Sequence, residues 1–265
     1  MTAAGARSHR LDVRLLMLRR PELAAMAVIA LAWVTIVMLA LGGLGGDSRA
    51  PGMPGMAGMP GSGPAASYRV LPAVADGLAG WILMCVAMMG PGALAGIRHT
   101  GINSLRWRRG RAMTEFAVAY LGVWAAFGAV ALALSALAPS RQRLGVLALV
   151  LALAAAWQVT RFKRRALRDC HRSVPLPLRG WRAEWGALRF GLRNSLSCVG
   201  SCWCLMLVMI AVPGGYLLWM IVLTGIVTVE RLLERPRQAT RFAAAAMGIA
   251  ATIAFGAACN AGLLA

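Results

Sequence analysis

Six cysteines and 15 methionines mark this 265-residue chain because they fall in groups. Met53, Met56 and Met59 recur at three-residue spacing in a Gly/Pro-rich stretch. Thioethers are soft donors that favour Cu(I) and bind without losing a proton, so they work in an oxidising compartment. A linker with methionine as filler would look the same. The second group is Met84, Cys85, Met88 and Met89, followed by Gly90-Pro91. On a helix the pairs 84/88 and 85/89 are each four apart and share one side, while Pro91 frees backbone groups beside them. The third group, Cys198, Cys202 and Met206, forms an i, i+4, i+8 ladder, with Gly200 allowing a neighbouring helix close. Two or three sulfurs suit Cu(I) better than Zn(II), which takes four ligands. Inert buried thiols remain the alternative; a disulfide from Cys198 to Cys202 within one helix is geometrically poor.

Other chemistry is scarce. The three histidines, His9, His99 and His171, fall in segments assigned to the cytoplasm, and Asp76, Glu115 and Glu230 lie at helix ends. Carboxylates inside a membrane normally mark proton relays, so a proton-driven pump is disfavoured. Neither a phosphate-binding glycine loop nor a nucleophilic triad occurs. No catalytic residue, organic cofactor or enzyme activity is expected.

Composition places these groups in a membrane. Hydrophobic residues make up 59% of the chain and charged residues 14%, against about 25% charged in a soluble globule. Stretches without charge run over 23–46, 77–97, 116–140, 144–160, 194–229 and 242–265. Roughly 20 apolar residues cross the hydrocarbon. The longest stretch contains Pro213-Gly214-Gly215, a turn signal, and reads as two short crossings, 194–212 and 215–229, or as a re-entrant hairpin. The expected fold is an all-α transmembrane bundle of about seven helices, a single integral membrane domain over 1–265.

The net charge of +19 then becomes a statement of topology. Five basic residues precede the first span, five lie in 98–115, ten in 161–193 and four in 230–241, which puts 24 on one face and 4 on the other. That positive-inside pattern sets the N-terminus in the cytoplasm and the C-terminus outside, in a bacterial cytoplasmic (inner) membrane. It also removes nucleic acid as a partner, because the excess charge lies where topology demands it. The external loop 45–76 carries the methionine triplet and is too rich in Gly and Pro to build a core. The basic loop 161–193 ends in an amphipathic helix whose Trp181, Trp185, Leu188 and Leu192 form one stripe. The stripe suits either the lipid headgroup region or packing on the protein.

Several motifs occur in order: Trp157-Gln158 before Lys163 and Cys170, the run Gly186–Arg193, Cys198-Val199-Gly200-Ser201-Cys202-Trp203 with Met206, Leu218-Trp219-Met220, and Glu230. Upstream stand Trp81, Ala87-Met88-Met89 with Pro91, and Tyr120 with Trp124. Over most of 78–235 the chain resembles a bacterial family of uncharacterised, predicted metal-binding integral membrane proteins. The chain departs from that family's pattern at Ser201 and Ala166, where the family tends to carry cysteines, and adds Cys204. The resemblance implies a metal site on these helices.

Together these features point to a copper-handling membrane protein. Met53, Met56 and Met59 capture Cu(I); Cys85, Met88, Met89, Cys198, Cys202 and Met206 hold it within the membrane; Cys170, with His171 beside it, forms a cytoplasmic exit. The helices carrying 85–89 and 198–206 run in opposite directions and place these sulfurs in the same half of the bilayer. The partners expected are the lipid bilayer and a metallochaperone or membrane complex. An assembly subunit with merely buried sulfurs is the alternative. A thiol oxidoreductase would have to use Cys202 and Cys204, since no C-x-x-C is present.

Overall fold

The computed structural model describes residues 22–43, 70–136, 143–170, 172, 174–177, 179–212, 215–232 and 236–263. Among these the structure has eight helices and no strand: α1 (Leu23–Gly43), α2 (Val70–Ile102), α3 (Arg109–Ala136), α4 (Arg143–Gln158), α5 (Arg161–Cys170), α6 (Trp181–Ala211), α7 (Tyr216–Leu232) and α8 (Pro236–Leu263). Five of them (α1, α2, α3, α6 and α8) are long and apolar enough to cross a membrane. A sixth crossing is added if α4 and α5, bent by 71° at a short break, count as one span. Helix α7 is short, at 17 residues. The reading of about seven crossings is thus reduced to five or six, because the stretches on α4 and α7 form helices of only 16 and 17 residues. Residues 53, 56, 59 and 171 lie outside the described residues.

Side chains that point outward are apolar along the spans. Leu31, Met38, Val118, Leu149 and Ile253 are all exposed, as expected where lipid rather than water is the neighbour. With lipid outside, helices associate through small residues and interhelical hydrogen bonds instead of the hydrophobic effect. Both devices are present. Helix α4 packs along α8, and both helices bury small or slender side chains, Ala148, Leu151 and Ala154 on one and Ala243, Met247 and Ala251 on the other. Helix α6 lies so close to α3 that a Cβ on Gly191 would press on the Phe116 carbonyl oxygen. At that crossing Ser195 Oγ donates to Tyr120 O at 2.8 Å.

Tryptophans lock the remaining contacts. Trp81 Nε1 of α2 donates to Trp124 O of α3 at 2.9 Å, in the space left by Gly128. Trp157 Nε1 of α4 donates to Gly200 O of α6 at 3.1 Å. Pro91 sits inside α2 and, lacking an N–H, leaves the carbonyl four residues earlier without its helical donor. That carbonyl, Ala87 O, receives Trp33 Nε1 of α1 at 3.1 Å, so the irregularity in α2 becomes the docking point for α1.

The basic stretch 161–193 contains two helical pieces. Helix α5 turns aside after α4 and buries Lys163 and Leu167. The amphipathic segment beginning at Trp181 runs without a break into the apolar helix that carries the thiols, giving one 31-residue helix, α6. At 1.5 Å per residue such a helix measures about 46 Å, well beyond the roughly 30 Å of hydrocarbon. An upright helix of that length leaves several turns outside the hydrocarbon, and the charged residues of α6 all lie between Trp181 and Arg193, at its N-terminal end.

Candidate metal centre

Cys198 is fully buried in α6, one turn past the α3 crossing, and three other helices aim groups at its sulfur. From α2, Met89 Sδ lies 3.9 Å from Cys198 Sγ. Tyr120 of α3 donates its hydroxyl hydrogen bond to Cys198 Sγ at 3.0 Å. From α7, Arg231 Nη2 donates to the same sulfur at 2.7 Å. The guanidinium fits because residue 92 has no side chain: a Cβ on Gly92 would collide with Arg231.

One turn further along α6, Cys202 is likewise fully buried, four residues from Cys198 and so on the same side of the helix. Ser201 bridges the pair, donating to Cys198 O at 2.8 Å and lying 3.2 Å from Cys202 Sγ. Helix α5 comes close to α6 here, a Cβ on Gly200 lying 3.5 Å from Ala166 Cβ, and Cys170 stands one turn beyond Ala166 at the end of α5. All six cysteines are free. The centre thus joins Met89, Cys198 and Cys202, with Cys170 at its border. Among the described residues no three His, Cys, Asp or Glu side chains form a metal-holding group, so any site here draws on the thioether as well as the thiols.

Met88 and Met206 are buried in the same core, but the contacts of Cys198 run to Met89, Tyr120 and Arg231. Cys85 is buried near Tyr216 of α7, whose hydroxyl donates to Met84 Sδ at 2.8 Å. That second contact between a tyrosine and a sulfur lies five residues before Met89, about 7 Å along the helix. His99 is spent on structure, with Nε2 3.0 Å from Val174 O.

Two basic residues were missed by counting charge along the chain. Arg231 and Lys163 enter the cytoplasmic total, yet Arg231 reaches the thiol cluster and Lys163 is buried. Lys163 Nζ lies 2.7 Å from Glu230 Oε2, and both side chains are 1% exposed. The expectation that every excess charge merely marks topology is therefore corrected at these positions. Glu230-Arg231, an ionised pair closing an apolar helix, was the available signal. Position 201, where the resembled family carries a cysteine, points its side chain into the centre.

The fold and this cluster define a helical bundle, with helices suited to crossing a membrane, built around a buried centre of thiols and a thioether. A family model, PpoB2, described as a copper chaperone, matches residues 78–254, more than half of the chain. The chain belongs to that copper-related family, which replaces the uncharacterised family its motifs resemble. No curated protein and no solved structure matches it. The matched region contains α3 to α7 whole and every residue of the centre, and it excludes Met53, Met56 and Met59.

Proposed function

We propose that the protein is a membrane-embedded carrier that holds Cu(I) on Met89, Cys198 and Cys202 and delivers it to an acceptor, with copper as cargo. The observation that carries this reading is the 3.9 Å separation of Met89 Sδ and Cys198 Sγ. With metal–sulfur bonds near 2.3 Å, as for zinc thiolate, sulfurs at the corners of a trigonal site stand about 4.0 Å apart and those of a linear pair about 4.6 Å. The observed pair has the trigonal separation. A mixed thiol and thioether set is soft, which favours Cu(I) over harder divalent ions.

Arg231 supplies the charge balance. Ligation requires thiolates, and Cu(I) bound by two of them carries one negative charge. The guanidinium of Arg231 cancels it, so the loaded centre is neutral where an uncompensated charge would be costly. Tyr120 and Ser201 hold the sulfurs without competing as ligands. In this reading Met53, Met56 and Met59 collect copper on the outer face of a bacterial inner membrane. Cys170, with His171 next in sequence, receives it on the cytoplasmic side. No bond is made or broken in a substrate, so the protein acts as a carrier and not an enzyme.

The test is copper content of the full chain, purified after loading with Cu(I). Cys198→Ala and Cys202→Ala should each lose most of the bound copper. Met206→Leu and Cys259→Ser, outside the centre, should keep it. Retention of full copper by folded Cys198→Ala protein would remove this centre from consideration.

A further inference from the structure

The projecting turns of α6 carry a feature that copper handling leaves unused. A groove of about 590 Å³ runs between α6 and the segment 174–177, and Arg182, Arg189 and Arg193 line one wall. These three fall at i, i+7 and i+11, one stripe of a helix. Among the described residues none of them is paired with a carboxylate; the nearby Glu184 is engaged by Arg111 at 2.7 Å. Three unpaired guanidinia on one wall form a receptor for a phosphate-type anion.

Next to the arginines lies the apolar stripe. Trp181 and Trp185 are 67% and 63% exposed, so the stripe does not pack on the protein. It continues down the same helix into the span through Leu192 and Leu196, also exposed. Arg193 and Arg189 precede the uncharged part of α6 by about one and five residues, placing them within roughly 7 Å of the hydrocarbon border, the depth of the headgroup layer. An anion seated on the arginines therefore has a continuous apolar track beneath it, suited to acyl chains. A soluble anion would leave that track unused.

From this juxtaposition we infer that the groove is a binding site for an anionic phospholipid, its phosphate on Arg189 and Arg193, with Arg182 further out on the same stripe adding to the attraction, and its chains along Leu192 and Leu196. Arginines facing anionic lipid are a recurring anchor of a cytoplasmic membrane surface. Bound there, the lipid fixes the depth of the helix that carries Cys198 and Cys202.

The experiment uses the full chain, delipidated in neutral detergent and titrated with phosphatidylglycerol or phosphatidylcholine, with bound lipid counted by native mass spectrometry. Phosphatidylglycerol should be retained in preference to phosphatidylcholine. Each arginine near a membrane surface is worth about fivefold in affinity, so changing all three to Gln should weaken retention on the order of a hundredfold. Changing Arg161, Arg165 and Arg168 to Gln instead, with the same loss of charge, should leave retention nearly intact. Since both sets are exposed, each variant should fold, and unchanged helical content confirms it. Equal retention by the two variants overturns the site, as does displacement of the lipid by millimolar inorganic phosphate or saturation by a lipid-free acidic peptide.

Discussion

Lys163 of α5 and Glu230 of α7 form a buried ion pair, Nζ to Oε2 at 2.7 Å, beside the residue that reaches Cys198. The pair ties the bent-away helix ending in Cys170 to the helix that presents Arg231. Removing one partner strands the other charge in a low-dielectric interior at a cost of about 3–5 kcal/mol, whereas replacing both with apolar groups is often close to neutral. Glu230→Leu alone should lower thermal stability in detergent sharply. Combined with Lys163→Met it should recover much of the loss, as a double-mutant cycle on Tm would read.

Arg231 is expected to act on the copper-loaded state. A hydrogen bond to a charged group contributes about 1.5–3 kcal/mol, equivalent to roughly tenfold to a hundredfold in affinity. Arg231→Gln should therefore weaken Cu(I) retention by that factor in competition with a chelator, and Arg231→Lys should restore part of it as a point charge. Equal affinity in Arg231→Gln would show that the guanidinium has no part in holding the metal.

Room for that guanidinium depends on Gly92. In Gly92→Ala the added methyl would occupy the position of the Arg231 side chain. Overpacking of this kind costs about 1–3 kcal/mol. A chelator assay should show copper loss comparable to Arg231→Gln. Gly122→Ala, where a Cβ meets nothing within contact distance, should leave retention unchanged.

Ser201 offers a gain of function. Its oxygen already lies 3.2 Å from Cys202 Sγ. Ser201→Cys would add a third thiol to the centre, and the variant should retain Cu(I) at chelator concentrations that strip the parent protein. A variant that folds but loses copper as readily as the parent would show that position 201 cannot contribute a ligand.

The bundle and the helices carrying the sulfurs were readable from the residues because both depend on local spacing. An uncharged stretch marks a crossing wherever it falls, and Cys198 and Cys202 share a face through the helical repeat alone. Trp33 shows where such reading stops. Pro91 announces a carbonyl without its usual donor, but which distant group fills the gap depends on how α1 packs. The basic residues fail for another reason. Arg231 looks like any arginine at the cytoplasmic end of a span, and its partner Cys198 is 33 positions away.

Hydropathy, charge bias and helical spacing act along the chain, and they are enough to make it a membrane bundle with grouped soft donors. Which sulfurs meet, that Arg231 and Tyr120 converge on Cys198, and that Lys163 is buried against Glu230 emerge from the packing of the helices. These contacts join α2, α3, α5, α6 and α7. Their geometry depends on close helix approach at Gly191 and on the space left at Gly92, which are set by packing in three dimensions and not by spacing along one helix.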